Sequence, residues 1–325
     1  MKNYYKGKHI LITGGAGYIG QLLLDKLLEF DPAVVRILDS HENGLFKLRQ
    51  EYSGEASSKL RFLLGDIRNL DRLQYAFRGI DVVIHTASYK HVLECEHNPI
   101  DAVETNINGT SNIVQAAIFN NVEKVLFTSS DKAANPSNTM GATKLLAEKL
   151  MIAANAYSAH STIFACCRFG NVIRSSGSVV PLFEMQMKEG KSITITDPEM
   201  TRFLISSEEA VELVLQSCFL AQGGEVFISK MQAMRIGDLA DAMMNKYGAV
   251  SQQIIGKKAG EKMYEELMTE EEMSRAYEKE NMYVIAPSIT SIDQHNYEGF
   301  DKVTAVNNSH ECELLTREEI LRLIE

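Results

Sequence analysis

Three glycines carry the first chemistry in this chain. TGGAGYIG sets Gly14, Gly17 and Gly20 three apart, directly after the apolar run His9–Thr13 (HILIT). Glycine permits a tight turn and lets backbone N–H groups approach a pyrophosphate at a helix N-terminus. Tyr18 and Ile19 fall in the same first helical turn and are cofactor contacts on this reading. Asp39 ends the next apolar run, Val34–Asp39 (VVRILD), 19 residues after Gly20. A carboxylate at that point accepts hydrogen bonds from ribose hydroxyls and repels a 2′-phosphate. No Arg follows it in Ser40-His41-Glu42. The pattern predicts a bound dinucleotide, NAD rather than NADP, with His41 leaving a phosphate contact open. Asp66 and Ile67, after the third apolar run, stand where an adenine ring would lie; Asp66 would serve equally as a helix N-cap. A second constellation follows the run Lys124–Ser129 (KVLFTS): Ser130, Asp131 and Lys132, then Met140 and Lys144. The last two are four apart and share one helix face.

The elements needed to hold these residues are legible as alternation. HILIT, VVRILD, Leu60–Leu64, Asp81–His85, Lys124–Ser129 and Thr162–Arg168 are short Val/Ile/Leu-rich runs. Between them lie amphipathic stretches: Ile19–Phe30, Leu70–Phe77, Ala102–Asn120 and Ala142–Ala159. Continuous apolar strands alternating with helices predict a parallel sheet covered on both faces, an α/β doubly wound fold of Rossmann type. Residues 1–170 form the dinucleotide-binding domain on this reading. After about residue 170 the alternation loosens into GNVIRSSGSVVP, SITIT, EVFIS and the helices Ser207–Leu220 and Ile236–Lys246. Residues 171–325 then form a smaller substrate lobe and tail, some segments of which return to the first domain. The acid-rich Glu261–Glu280 reads as a solvated face.

Composition narrows the class. The chain has 325 residues, 45% hydrophobic and 23% charged, which excludes disorder as the main state. Its net charge of -10 argues against a nucleic-acid surface. Five cysteines, an odd number without CxxC spacing, read as reduced thiols. No signal-peptide pattern and no run of ~18 apolar residues is present, so the expectation is a cytoplasmic protein with no membrane span and no metal site.

The motifs together resemble a known family. TGGxGxxG, GDIR (Gly65–Arg68), HTAS (His85–Ser88) and a Lys on the helix after the fifth strand resemble the extended short-chain dehydrogenase/reductases. ASYKHVLECEHNP (Ala87–Pro99), SSDKAANPSNTMGATK (Ser129–Lys144), RFGNVIRSSGSVVP (Arg168–Pro181), MTRF (Met200–Phe203) and GEKMYEEL (Gly260–Leu267) resemble the UDP-N-acetylglucosamine 4,6-dehydratases of bacterial polysaccharide biosynthesis. The resemblance covers about residues 8 to 285. It implies oxidation at C4 of the sugar, loss of water across C5 and C6, and hydride return to C6. It also implies a homodimer or higher homo-oligomer, with Ala102–Asn120 and Ala142–Ala159 as candidate interface helices.

Roles follow by the same resemblance. Lys144 holds the nicotinamide ribose, and Ala87 lies beside the cofactor. One of the hydroxyls of Ser129 and Ser130 bonds the C4 oxygen, Ser130 aligning with a position that is often Thr in the family. Asp131 protonates the leaving C6 hydroxyl, and Lys132 removes the C5 proton. Adjacent opposite charges favour the ionised forms of this pair, so a closing lobe must desolvate it. Lys90 and His91 would face the sugar or the cofactor phosphates. Asn171 and Arg202 would meet the UDP diphosphate and uridine, and Thr194 would lie on a uracil-facing strand. Lys258 and Lys262 would add positive charge, with Glu261 binding a ribose or orienting a lysine. Arg168 is expected to brace the fold. Met140 departs from the family at large, which has Tyr there; Met has no titratable proton. A branch that includes large membrane-bound members also carries Met, and likeness to it implies retention at C5. The alternatives are an inverting dehydratase, a UDP-sugar 4-epimerase and a catalytically silent NAD-binding regulator.

Overall fold

The computed structural model describes residues 1–324 except 53, 159–160, 176, 249, 289–294 and 307. Six apolar runs form strands: β1 (His9–Thr13), β2 (Val34–Asp39), β3 (Leu60–Leu64), β4 (Val82–His85), β5 (Lys124–Thr128) and β6 (Ile163–Arg168). They lie in the order β3-β2-β1-β4-β5-β6. Right-handed crossovers to first one side of β1 and then the other produce this order. β1 pairs in parallel with both β2 and β4, Ile12 lying opposite Ile37 and Ile84. The winding therefore reverses between β1 and β4, and ligands of such sheets bind outside the carboxyl ends at that point. Alternate residues feed two cores. Ile10, Ile12 and Ile37 pack with Leu23, Leu27 and Val214 on one face, and Leu11, Val83 and Val125 with Phe77, Ile113 and Met151 on the other. The doubly wound α/β sheet expected from the alternation is what forms.

The second half of the chain contributes β7 (Asn171–Val172), β8 (Ile193–Ile195), β9 (Thr201–Ile205), β10 (Val226–Ser229), β11 (Gln232–Arg235), β12 (Gln252–Ile254), β13 (Ala276–Lys279), β14 (Met282–Ile285) and β15 (Asp301–Lys302). β10 lies parallel beside β6, and β14, β13 and β15 continue the same sheet antiparallel. A small sheet, β11-β9-β7, and the pair β12-β8 stand apart from it. They frame a third core, where Phe183, Ile193, Leu239 and Met243 meet Ile320 and Ile324 from the end of the chain.

Two helices differ from expectation. The stretch Ala102–Asn120 forms as Pro99–Val103, a π turn Glu104–Asn108 and Gly109–Phe119. Asn106 accounts for the wide turn. Its amide nitrogen donates to the Tyr89 carbonyl (3.1 Å) and the Thr143 hydroxyl (2.9 Å), and its oxygen accepts from the Tyr89 N–H (2.8 Å). Such turns widen the backbone to aim a side chain inward. The helix expected over Ala142–Ala159 runs Thr139–Tyr157; Ala159 lies outside the described residues. Ile100, Val103, Leu146 and Tyr157 on these helices are exposed.

Candidate active site

A cavity of about 920 Å³ opens across the carboxyl ends of β1, β4 and β5. Gly14, Gly17, Tyr18, Ile19 and Gly20 line it. Gly14 has φ +69°, and a Cβ there would stand 2.7 Å from the backbone of Ala87, itself in the cavity wall. A Cβ on Gly20 would stand 2.6 Å from Gly14 O. Backbone cannot yield as a side chain can, so both positions demand glycine. Gly17 caps the helix Tyr18–Leu28, whose first-turn N–H groups have no partner within the helix. This cradle fits a diphosphate.

Asp39 lines the same cavity at the end of β2. Its carboxylate is fixed by the N–H groups of Ala16 and His41, both at 2.9 Å. Asp66 and Ile67 also line it. Arg68 grips Asp66 through Nε (2.9 Å) and holds its carboxyl below the usual value. The N-cap of the next helix is Asn69, not Asp66. The residues present therefore fit a dinucleotide along its length.

Ser130, Lys132, Met140, Lys144 and Asn171 line the rest of the cavity, with Lys90 and His91. A short 3-10 turn, Asp131–Ala133, presents the reactive groups. Asp131 is fully buried beneath the wall rather than in it. Its Oδ1 accepts from the Ser130 hydroxyl (2.8 Å) and from Lys132 Nζ (3.1 Å). Lys132 Nζ also donates to Asn171 Oδ1 (3.2 Å) and lies 3.5 Å from Glu265 Oε1. Burial works to lower the Lys132 pKa, but Asp131 and Glu265 outweigh it and hold it above the ordinary lysine value.

Met140 and Lys144 lie one turn apart on the helix Thr139–Tyr157. Lys144 Nζ donates to Ser88 Oγ (2.7 Å) and to the Thr128 carbonyl (2.9 Å), above the Phe127 ring. Burial pushes its pKa down to about 8, against the pull of Glu148. Met140 packs against Cys95, Ala102 and Val92. Burial lowers both Lys90 and His91, and Lys90 lowers His91 further. Below the floor, His85 bridges Thr13 (2.7 Å) and Thr110 (3.2 Å), and burial pushes it down to about 3, so it is a neutral structural imidazole.

Five residues expected at the substrate, Thr194, Arg202, Lys258, Glu261 and Lys262, are not brought to the cavity wall. Thr194 is paired with the Gln186 amide (2.9 Å) on β8. The Arg202 guanidinium is buried and donates to the carbonyls of Thr201 (2.7 Å) and Lys262 (2.9 Å). Lys258 is exposed, and Glu261 accepts from its N–H (2.9 Å), closing a turn. Each is occupied by a neighbour or turned to solvent. Lys262 likewise reaches the Ala134 carbonyl (3.2 Å) and Glu266. Arg168 is fully buried and paired with Glu148 (2.6 Å) and Glu272 (2.7 Å). Sequence reading missed Ser88, Glu265 and Thr105. Thr105 and Ser129 line the cavity, and their buried hydroxyls have no partner among the described residues. Such groups await a ligand or water. Glu265 lay within GEKMYEEL, but that stretch is irregular, so helical spacing could not tell it from Glu261.

The family model for polysaccharide biosynthesis proteins matches residues 10–287. An uncharacterised membrane protein of Methanocaldococcus jannaschii is 45% identical, covering 100% of this chain and 97% of its own. A UDP-N-acetylglucosamine 4,6-dehydratase (inverting) of Campylobacter jejuni is 41% identical over 90% of this chain and 86% of its own. A UDP-glucose 4-epimerase of Rickettsia akari is 38% identical over 98% and 95%. The crystal structure of Pen from Bacillus thuringiensis superposes with a TM-score of 0.92 at 41% identity, covering 99% of both chains. No helix among the described residues is long and apolar enough to cross a membrane. Similarity this extensive, carried by sequence and fold alike, establishes that the chain belongs to the polysaccharide biosynthesis protein family, within the extended short-chain dehydrogenase/reductases.

Proposed function

We propose that the chain is a UDP-N-acetylglucosamine 4,6-dehydratase that works with NAD. The observation that carries this reading is the Asp131–Lys132 pair, joined at 3.1 Å, with Lys132 facing the cavity that holds the dinucleotide cradle. NAD, when bound, would take a hydride from C4 and give it back at C6, so the reaction is redox-neutral. The protein's own groups move the protons. With Met140 in place of a titratable residue, the C4 hydroxyl proton passes through Ser130 to Asp131, along the hydrogen bond already formed between them (2.8 Å). The resulting C4 ketone acidifies the C5 proton, which Lys132 takes as a free amine. Asp131 returns its proton through the Ser130 hydroxyl to the departing C6 hydroxyl, which leaves as water. Lys132 returns a proton to C5. Each group ends as it began. Lys144, anchored by Ser88 and Thr128, is poised to hold the nicotinamide ribose.

A second reading, a UDP-sugar 4-epimerase, is favoured by the likeness to the Rickettsia akari UDP-glucose 4-epimerase. An epimerase returns hydride to C4 and needs neither a C5 base nor a C6 acid, which leaves the Asp131–Lys132 pair without a task. The resemblance to the Met-containing branch implied retention at C5. The inverting name of the Campylobacter relative favours inversion instead.

Proton NMR of the purified protein with UDP-N-acetylglucosamine in deuterated water tests the proposal. The expected product has a new C6 methyl signal, a C4 ketone or its hydrate, and deuterium at C5. The couplings to C5 read retention or inversion. A new C4 epimer without a methyl signal would establish the epimerase. No product, with NAD bound, would leave the silent regulator.

A further inference from the structure

We propose that Glu265 is a positioning residue for Lys132: its buried carboxylate holds Lys132 as an ammonium ion and so sets how much of it exists as free amine. The proposal rests on the dehydratase reading only for the use made of that amine. An ammonium group has three N–H donors. Lys132 Nζ has three acceptors around it: Asp131 Oδ1 at 3.1 Å on its own turn, Asn171 Oδ1 at 3.2 Å on β7, and Glu265 Oε1 at 3.5 Å. Two of the three are carboxylates.

Glu265 is 2% exposed and does not line the cavity, so it touches the reacting groups through Lys132, with Asp131 close enough to feel its charge. Its other oxygen, Oε2, is buried without a hydrogen-bond partner among the described residues. Its backbone is pinned from the far end of the chain. The Glu265 N–H donates to Ser309 Oγ (2.9 Å), the Ser309 N–H donates to the Glu265 carbonyl (2.9 Å), and Ser309 Oγ shares a hydrogen bond with Thr201 Oγ1 (2.8 Å). The other charged groups facing the cluster are Arg202 on β9, 3.9 Å from Glu265 Oε1, and Lys262. Burial and the nearby Asp131 carboxylate raise the Glu265 pKa, and Lys132, Arg202 and Lys262 pull against that rise. Lys132 is thus held in its charged form by Asp131 and Glu265 together, and Glu265 itself forms no part of the wall.

An opposite charge this close favours the charged form by ~1–3 pKa units. Each unit changes the free-amine fraction about tenfold. Acetylation needs the free amine, so its rate reads that fraction without turnover. The intact wild-type chain, Glu265→Gln and Glu265→Asp are labelled with trace acetic anhydride at about pH 8. Lys132 is scored by peptide mass spectrometry against the exposed Lys188 of the same molecule. The expected result is labelling of Lys132 about tenfold faster or more in Glu265→Gln. In Glu265→Asp, where the charge is kept but withdrawn, the rise is several-fold. Rates within twofold of wild type in both variants overturn the proposal. So does a rise shared by the buried Lys124 and Lys144, because that reports loosening rather than charge. Wild-type product formation is scored separately by the NMR assay. Faster labelling with no methyl product keeps Glu265 and discards the dehydratase; methyl product with unchanged labelling does the reverse. The ascending limb of the kcat–pH profile moves to lower pH in Glu265→Gln if Lys132 is the base.

Discussion

A lysine buried over an aromatic ring has weak reason to stay charged near neutral pH, because burial costs the ammonium its hydration. Lys144 is in that position, with its pKa pushed down to about 8. An anionic dinucleotide in the same cavity restores a reason to hold the proton. At pH 8.5, where free Lys144 is largely neutral, NAD binding should therefore take up a proton. Calorimetry in buffers of different ionisation enthalpy measures this; the uptake should vanish in Lys144→Met, and equal heats in all buffers for wild type would refute it. At this scale the sequence was a good guide wherever spacing lay within one strand–turn–helix unit. Gly14, Gly20 and Asp39 were legible for that reason. Ser88 and Glu265 were not, because their partners, Lys144 and Lys132, lie far away in the chain. Arg202 and Thr194 misled because residue type reports what a side chain can bond, not whether a neighbour already bonds it.

Elements are joined here by one buried ionic device. Arg168 at the end of β6 makes bidentate contacts with Glu148, on the helix that carries Lys144, and with Glu272 in the helix Glu270–Met273. Burial works against ionised Glu272, yet Arg168 pulls it down to about 2. Removing one partner of such a cluster leaves buried charge uncompensated and costs about 3–5 kcal/mol. Arg168→Met should lower the unfolding free energy measured in urea by that amount and move the midpoint down with it, and Arg168→Lys should recover little, since an ammonium cannot make two forked pairs. A midpoint near wild type in Arg168→Met would show that the triad stabilises nothing. The limits of the first six strands were legible, β1, β2 and β3 to the residue, because their apolar runs are bounded by turn residues, whereas β7, β9 and β11–β15 were not read as strands. The π turn at Glu104–Asn108 was not, since it answers to Tyr89 and Thr143 rather than to its own sequence.

At the scale of the molecule, the last forty residues had no readable motif, yet they tie distant parts together. Ser309 pins Glu265 and Thr201, the Leu315 N–H donates to the Ala233 carbonyl (2.8 Å), and Ile320 and Ile324 fill the third core. Deleting residues 309–325 should expose Leu239 and Met243, raise binding of an apolar dye, and cut turnover far more than NAD affinity. Equal losses of turnover and NAD binding would mean that the tail supports the whole fold instead. The sheet carries a different implication, for how the chain is made. β6 pairs with β5 on one side, but its other edge finds a neighbour only in β10, which begins 58 residues after β6 ends. At about 5–20 residues per second, a ribosome leaves that edge without its partner for ~3–12 seconds. Through that interval the nascent chain offers a bare row of backbone donors and acceptors, the kind of surface that holding chaperones cover and that polysomes bring side by side.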